Sequence, residues 1–115
     1  MAFLDHFRSS KKSGPDESVL SELRKVGSKL DLQHDIEFFL YFPSQATGEQ
    51  AAEKIRAMGF DVKVDRAAQG DSWLCFATKR MIPDLAALER IREEFTALTA
   101  ALGGEYDGWG TGVEY

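Results

Sequence analysis

The chain of 115 residues carries 14 Lys and Arg side chains against 19 Asp and Glu side chains, a formal net charge of −5 at pH 7. This length predicts a single domain, and the negative charge argues against an electrostatic grip on nucleic acid or on an anionic membrane. With 43% hydrophobic residues the chain can bury its own core, and its one cysteine, Cys75, excludes an intrachain disulfide and a cysteine-rich zinc site.

The charge imbalance lies at the C-terminal end of the sequence. Residues 1–83 carry 12 acidic and 12 basic side chains, whereas residues 84–115 carry 7 acidic side chains against two arginines. Residues 1–14 lean the other way, and we predict that they form a flexible basic segment ahead of a single domain over residues 15–115. No stretch approaches the roughly 20 apolar residues of a membrane span.

The first half of the domain is predicted to contain two helices and one strand. Apolar residues recur at helical spacing over Asp16–Lys29 and predict the first helix. The aromatic run Ile36–Phe42 has the length and composition of a central strand. Thr47 and Gln50 have the spacing of a capping box, which predicts a second helix that stops at Gly59.

The second half is predicted to contain three strands and the longest helix. Phe60–Asp65 alternates apolar and charged residues, as a half-buried edge strand does, and Trp73–Thr78 is a second apolar, central strand. A helix is expected over residues 84–102, with Gly103 as its stop. The glycine-rich stretch Gly104–Val113 is then a last strand, best placed at an edge.

This order of elements predicts the fold class. A helix followed by β-α-β-β-α-β is the pattern of an α+β, ferredoxin-like sandwich with an additional N-terminal helix and a four-stranded antiparallel sheet. Right-handed crossovers place the first and third strands in the middle of that sheet and the second and fourth outside. The polarity of the strands leads independently to the same order, and this agreement is the main support for the fold.

Alternation along the first strand predicts two different faces of the sheet. Ile36 and every second residue after it should lie under the helices, whereas Glu37, Phe39 and Tyr41 point to the other face. That face is left to solvent, to the N-terminal helix or to a second subunit. RNA-recognition domains of this topology stack bases there, but the third strand lacks their signature, so RNA binding through Phe39 and Tyr41 is the weaker alternative.

In the last strand, regular alternation of side chains would separate its two large aromatic residues. Under strict alternation Tyr106 and Trp109 would face opposite sides of the sheet. A bulge at Gly108 would place both aromatic side chains on one face. We therefore predict an irregularity around Asp107 or Gly108.

The residues that could carry catalysis or bind a metal are scattered along the chain. His6 and His34 lie far apart in the sequence, and Cys75 is expected to be a buried, inert thiol. We therefore predict no metal site, no cofactor and no enzymatic activity. The carboxylates near the C-terminal end are typical of a solvated acidic surface rather than of an acid–base pair: Glu93, Glu94, Glu105 and Asp107.

The run Glu105–Thr111, which reads EYDGWGT after a long helix, resembles the signature of the regulator of ribonuclease E activity B (RraB) family. Upstream segments agree with the family in order and residue type over Leu32–Phe42, Ala51–Lys54 and Met58–Val62. The resemblance implies a ferredoxin-like fold and a cytoplasmic bacterial protein. It also implies a protein ligand, not an enzyme, that inhibits ribonuclease E by binding the non-catalytic scaffold region of that enzyme.

A protein partner would meet the acidic last third of the chain, which is complementary to a basic, disordered segment. The candidate contacts there are Tyr106, Asp107 and Trp109, because Tyr and Trp carry much of the energy at interfaces. Phe39 and Tyr41 are further candidates on the sheet. Alternatively, Tyr106 and Trp109 attach the last strand to the third helix and Asp107 caps a turn. A homo-oligomeric ferredoxin-like module that binds a small ligand or another protein is the alternative function.

Overall fold

The computed structural model describes residues 16–115 and, of the preceding segment, the backbone of residues 7 and 8. The flexibility predicted for residues 1–14 otherwise falls outside the described residues. Within the described part of the chain, no helix combines the length and the apolar composition that a membrane span requires. The elements in chain order are β1 (Phe7–Arg8), α1 (Asp16–Lys25), β2 (His34–Phe42), α2 (Gln45–Ala57), β3 (Asp61–Arg66), β4 (Trp73–Met81), α3 (Leu85–Ala101) and β5 (Glu105–Thr111).

The sheet confirms the predicted α+β class and the central position of the two apolar strands, but the prediction that the last strand lies at an edge is wrong, because β5 lies between β1 and β2. Its strands lie in the order β1-β5-β2-β4-β3, and every neighbouring pair is antiparallel. The two apolar strands β2 and β4 are central, and the charged strand β3 is at an edge, because charge guards an exposed edge. One short strand more is present than we predicted: β1 pairs with the end of β5, opposite Gly110 and Thr111.

Two helix termini differ from the sequence-based prediction. The N-cap of α2 is Ser44, not Thr47: the Ser44 hydroxyl accepts the Thr47 N–H at 3.1 Å, and the Thr47 hydroxyl accepts the Ser44 N–H at 3.3 Å. The predicted box at Thr47 and Gln50 is therefore wrong by one turn, because Ser44 offers an equivalent hydroxyl three residues earlier. Helix α1 ends at Lys25, and Gly27 follows it with a φ of +91°.

One face of the sheet is covered by helices. Along β2, Ile36 and every second residue to Phe42 are buried, as predicted, and they join one core with residues of all three helices. Helix α1 contributes Val19, Leu20 and Leu23 to this core and packs against α3. It therefore lies on the same side as α2 and α3, and the interpretation that it covers the second face is wrong. We call the covered side the helical face.

The irregularity predicted in β5 is confirmed. Trp109 pairs with Phe38 and Tyr106 pairs with Leu40, and the register shifts between these two pairs. Two residues of β5 therefore stand opposite one residue of β2, which is a β-bulge. Gly108, inside the bulge, has a φ of +94°, a backbone conformation that glycine adopts without steric cost. The bulge places Tyr106 and Trp109 together on the helical face.

Candidate functional site

A buried group of polar and aromatic side chains joins α1, α3 and β5, and we call it the polar junction: Asp16, Arg92, Tyr106 and Trp109. The Asp16 carboxylate is only 1% exposed. It accepts a hydrogen bond from the Trp109 indole Nε1 at 2.8 Å and from Arg92 Nη2 at 2.7 Å, and Arg92 Nε lies 3.2 Å from both carboxylate oxygens. The Arg92 guanidinium also lies over the Tyr106 ring, with Cζ 5.7 Å from the centroid.

The electrostatics of the polar junction favour the charged form of Arg92. Hydrogen bonds to the Asp16 carboxylate raise the pKa of Arg92 above its ordinary value, while partial burial acts in the opposite direction. A buried carboxylate needs such partners, because an unpaired charge in the interior is costly. This pairing could not be predicted from the sequence, since Asp16 and Arg92 are separated by 76 positions.

The polar junction determines where two of the predicted contact residues lie. Trp109 is fully buried and Tyr106 is 5% exposed. The Tyr106 ring also packs at 5.8 Å from the ring of Phe95 on α3. Both side chains therefore attach β5 to the helices, which is the arrangement that our alternative interpretation described for them.

Among residues 16–115, no helix covers the second face of the sheet, which we call the open face, and the centre of this face is apolar. Phe39 and Tyr41 of β2 pair across the strands with Phe76 and Leu74 of β4. All four side chains are partly exposed. The Phe39 and Phe76 rings are 5.5 Å apart in an edge-on arrangement, so the centre forms a contiguous patch rather than separate side chains.

Charged side chains surround this apolar centre. Residues that pair directly across antiparallel strands point to the same side, and Asp107 follows Tyr106 and so points away from the helices. Counted over residues 16–115, the open face therefore carries six carboxylates and two cations. The members are Asp35, Glu37, Asp61, Asp65, Glu105, Asp107, Lys63 and Arg80.

Two shallow grooves extend the open face. One, of about 470 Å³, lies beside β3 and includes Asp61, Lys63 and Phe76 in its lining. The other, of about 380 Å³, lies where β2 ends and β5 begins, and Tyr41 and Glu105 line it. The face therefore offers depressions at two sides of its apolar centre, into which side chains of a partner can fit.

The acidic last third of the sequence does not form one surface. Glu93 and Glu94 are exposed on α3, on the helical side of the molecule, whereas Glu105 and Asp107 belong to the open face. The acidity of the open face comes instead from β2, β3 and β5 together. This cluster could not be predicted from the charge of sequence segments, because the acidic and basic side chains of residues 1–83 are equal in number.

His34 and Ser28 form a buried pair that superficially resembles a nucleophile with its base. His34 is fully buried, with Nε2 2.7 Å from the Ser28 hydroxyl and Nδ1 2.9 Å from the Leu32 carbonyl oxygen. The Ser28 hydroxyl also accepts the Glu114 N–H at 2.9 Å. Because Ser28 is 6% exposed and binds the segment that follows β5, the pair has a structural role. His6 lies outside the described residues.

Cys75 is buried, as predicted. Its thiol donates to the Gly48 carbonyl oxygen at 3.2 Å, and burial raises the pKa of the thiol to about 11. A protonated, inaccessible thiol is a poor nucleophile. Among residues 16–115, no three His, Cys, Asp or Glu side chains are grouped so that they could hold a metal ion.

The comparison with protein families adds a separate line of evidence. A family model described as "Regulator of ribonuclease activity B" (RraB) matches residues 15–111. This span includes every helix and strand from α1 to β5. No curated protein matches the chain.

Proposed function

The chain belongs to the RraB family of regulators of ribonuclease activity, and from this we propose that it is a non-enzymatic protein ligand that regulates a ribonuclease by binding to it. The observation that carries the proposal is the extent of the family match, which covers residues 15–111 and hence the whole described domain apart from its last four residues. The matched residues include every helix and strand from α1 to β5, and therefore the core and both faces of the sheet, not one local motif.

The partner that we propose is the non-catalytic scaffold region of ribonuclease E, in the cytoplasm. This partner follows from the family resemblance in the sequence, and the acidic open face supports it. Basic, disordered segments bind acidic surfaces with fast association, because complementary charges steer the encounter. Over residues 16–115, the open face carries six carboxylates and two cations, which supports this proposal.

The proposed contact residues divide into two groups according to their burial. Phe39, Tyr41 and Asp107 lie on the open face, and we assign the direct contact to them. Tyr106 and Trp109 support that contact from below, because their packing on the helical face fixes the bulge that orients Asp107 outward. This assignment keeps all five predicted residues in the interaction, with different roles.

A ligand role agrees with the chemistry of the buried polar groups. Ser28 and His34 are inaccessible, and the Cys75 thiol keeps its proton at neutral pH because its pKa is about 11. Apolar and acidic groups predominate among the accessible side chains of the open face over residues 16–115, which suits recognition of a basic peptide better than attack on RNA.

Binding and cleavage measured with purified proteins test this proposal. The chain is titrated into whole ribonuclease E and into a form without the scaffold region, and cleavage of a labelled RNA is followed with and without the chain. We expect binding to whole ribonuclease E only, with slower cleavage. Absence of binding to both forms at concentrations of tens of micromolar would contradict the proposed partner, and cleavage of RNA by the chain alone would contradict the non-enzymatic role.

A further inference from the structure

We propose that the chain forms a symmetric dimer in which β3 pairs antiparallel with β3 of a second copy, with Val64 opposite Val64 of that copy. The proposal concerns the outer edge of one strand and does not depend on the proposed function. Three observations carry it: backbone groups of β3 that point away from the sheet, a single register that the surrounding backbone allows, and a charge pattern that is complementary to itself.

The outer edge of β3 is the first of these observations. Strand β3 is the last in the sheet order, so in the described part of the chain no strand pairs with its outer side. The Ala67 N–H donates to the Ser72 carbonyl oxygen at 2.9 Å, so Ala67 and every second residue before it direct their backbone groups toward β4. The Val62 carbonyl oxygen accepts a hydrogen bond from Arg56 Nη2 at 2.9 Å, in agreement with this alternation. The residues whose N–H and C=O groups point outward are therefore Val62, Val64 and Arg66.

The register of a symmetric pair is restricted by these directions. Opposite residues of an antiparallel pair have the same backbone orientation, so only an outward residue can lie on the two-fold axis: Val62, Val64 or Arg66. An axis at Arg66 would place two guanidinium groups opposite each other. An axis at Val62 would require the backbone of Phe60 to pair, but the Phe60 N–H already donates to the Ile55 carbonyl oxygen at 3.4 Å. An axis at Val64 uses only residues of β3.

The side chains of β3 are complementary in this register. With Val64 on the axis, Lys63 of each copy lies opposite Asp65 of the other, and both side chains are exposed. These residues occupy a non-hydrogen-bonded position of the new pair, where opposite side chains approach most closely, so an ion pair can form on each side of the axis. On the other side of the sheet the partly exposed Val64 contacts Val64 of the second copy, which removes apolar area from water.

The same charges disfavour most other strands at this edge. A lysine in the middle of an edge strand discourages pairing, because a strand without a carboxylate at the matching position leaves the cation without a partner. In the symmetric pair, Lys63 meets Asp65 of the second copy. A second copy is therefore the occupant that the charge pattern of β3 favours.

Sedimentation velocity of the full chain, from about 5 to about 500 µM, tests the dimer. We expect a dimer that dissociates on dilution. Lys63→Glu and Asp65→Lys each place like charges opposite each other, so each should raise the dissociation constant about tenfold or more. Lys29→Glu makes the same charge change as Lys63→Glu at an exposed position outside β3 and should raise it less than about twofold. A chain that stays monomeric at the highest concentration, or equal effects of the two glutamate variants, would overturn the proposal.

A mixture of the Lys63→Glu and Asp65→Lys chains tests the register. In a mixed dimer with Val64 on the axis, each lysine of β3 in the second chain lies opposite a carboxylate of the first. The mixture should therefore associate about as strongly as the unsubstituted chain, although each variant alone associates weakly. A mixture no more associated than its two components would overturn the pairing at Val64. Circular dichroism and thermal unfolding confirm that each variant is folded.

Amide hydrogen exchange locates the contact. The Val64 N–H points outward and should exchange quickly in the monomer and at least about tenfold more slowly in the dimer, whereas the Lys63 N–H points toward β4 and should be protected in both. We therefore expect the protection of Val64 to rise with the concentration of the chain and to stay low in Lys63→Glu. A dimer in which the exchange of Val64 does not depend on concentration would overturn the pairing of β3.

Discussion

The polar junction and the open face lie on opposite sides of strand β5. Both contain carboxylates and aromatic side chains, but these are buried in the polar junction and accessible to solvent on the open face. In the polar junction, Asp16 is 1% exposed and its carboxylate is paired with Arg92 and Trp109. On the open face, aromatic side chains remain partly exposed and carboxylates form a rim around them. Burial, not residue type, therefore distinguishes the side chains that stabilise the domain from the side chains that can contact a partner.

The same seven-residue strand supplies both regions. Tyr106 and Trp109 face the helices, whereas Glu105 and Asp107 face the opposite side. The bulge at Gly108 makes this division possible, because it shifts the alternation by one residue. Substitutions in the two regions should therefore separate stability from binding, and the following predictions are ordered from the largest expected change in the free energy of unfolding to the smallest.

The largest contrast is expected between two neighbouring phenylalanines of β2. Phe38 is fully buried between the rings of Phe60 and Phe95, whereas Phe39 is on the open face. Phe38→Ala should lower the free energy of unfolding by about 4 kcal/mol, because it leaves a cavity in the core. Phe39→Ala should cost about 1 kcal/mol or less but should abolish the proposed binding. Urea denaturation measures the free energy of unfolding of both variants. Equal losses would contradict the assignment of Phe38 to the core and of Phe39 to the open face.

Loss of the buried carboxylate should have the next largest effect. Asp16→Ala removes the acceptor of the Trp109 indole and the partner of Arg92, so we expect the free energy of unfolding to fall by about 3 kcal/mol. Glu17→Ala is the matched control, because Glu17 is the exposed neighbour in the same helical turn, and it should change stability by about 0.5 kcal/mol or less. A cost for Asp16→Ala no larger than that of the control would contradict a stabilising junction.

A smaller effect is expected from removing only the indole donor. Trp109→Phe keeps an aromatic ring in the core but loses the hydrogen bond of 2.8 Å to Asp16, so the loss should be about 2 kcal/mol. Trp73→Phe serves as the comparison, since Trp73 is partly exposed and contacts the Arg66 guanidinium at 5.6 Å from its ring centroid. That variant should lose less than about 1 kcal/mol. Thermal unfolding followed by circular dichroism measures both, and the reverse order would disprove the assignment.

The smallest effect is expected at the bulge itself. Gly108→Ala places a Cβ at a φ of +94°, which should cost about 1 to 2 kcal/mol. Gly108→Asn should recover part of this loss, because asparagine tolerates positive φ better than alanine. If Asn and Ala cost the same in urea denaturation, the positive φ is not the cause. We also expect Gly108→Ala to weaken the proposed binding, since the bulge orients Asp107 toward the open face.

Much of the architecture could be predicted from local patterns. Alternation in β2 assigned Phe38 to the core and Phe39 to the other face, and the spacing of Tyr106 and Trp109 predicted the bulge. Helix boundaries were less predictable, because two adjacent segments offered capping hydroxyls and only Ser44 is the N-cap. The position of α1 was also not predictable, since an amphipathic helix can pack on either side of a sheet.

The sequence by itself determined the α+β class, the two central strands, the edge position of β3 and the family to which the chain belongs. These properties depend on residue periodicity and on a contiguous motif, which a linear pattern contains. Only the tertiary structure decided that Trp109 bonds Asp16, 93 positions away, and that carboxylates from β2, β3 and β5 share one face. The physical reason is that sheet order and register bring together residues that are distant in the chain, whereas charge counted along the sequence treats residues 1–83 as neutral.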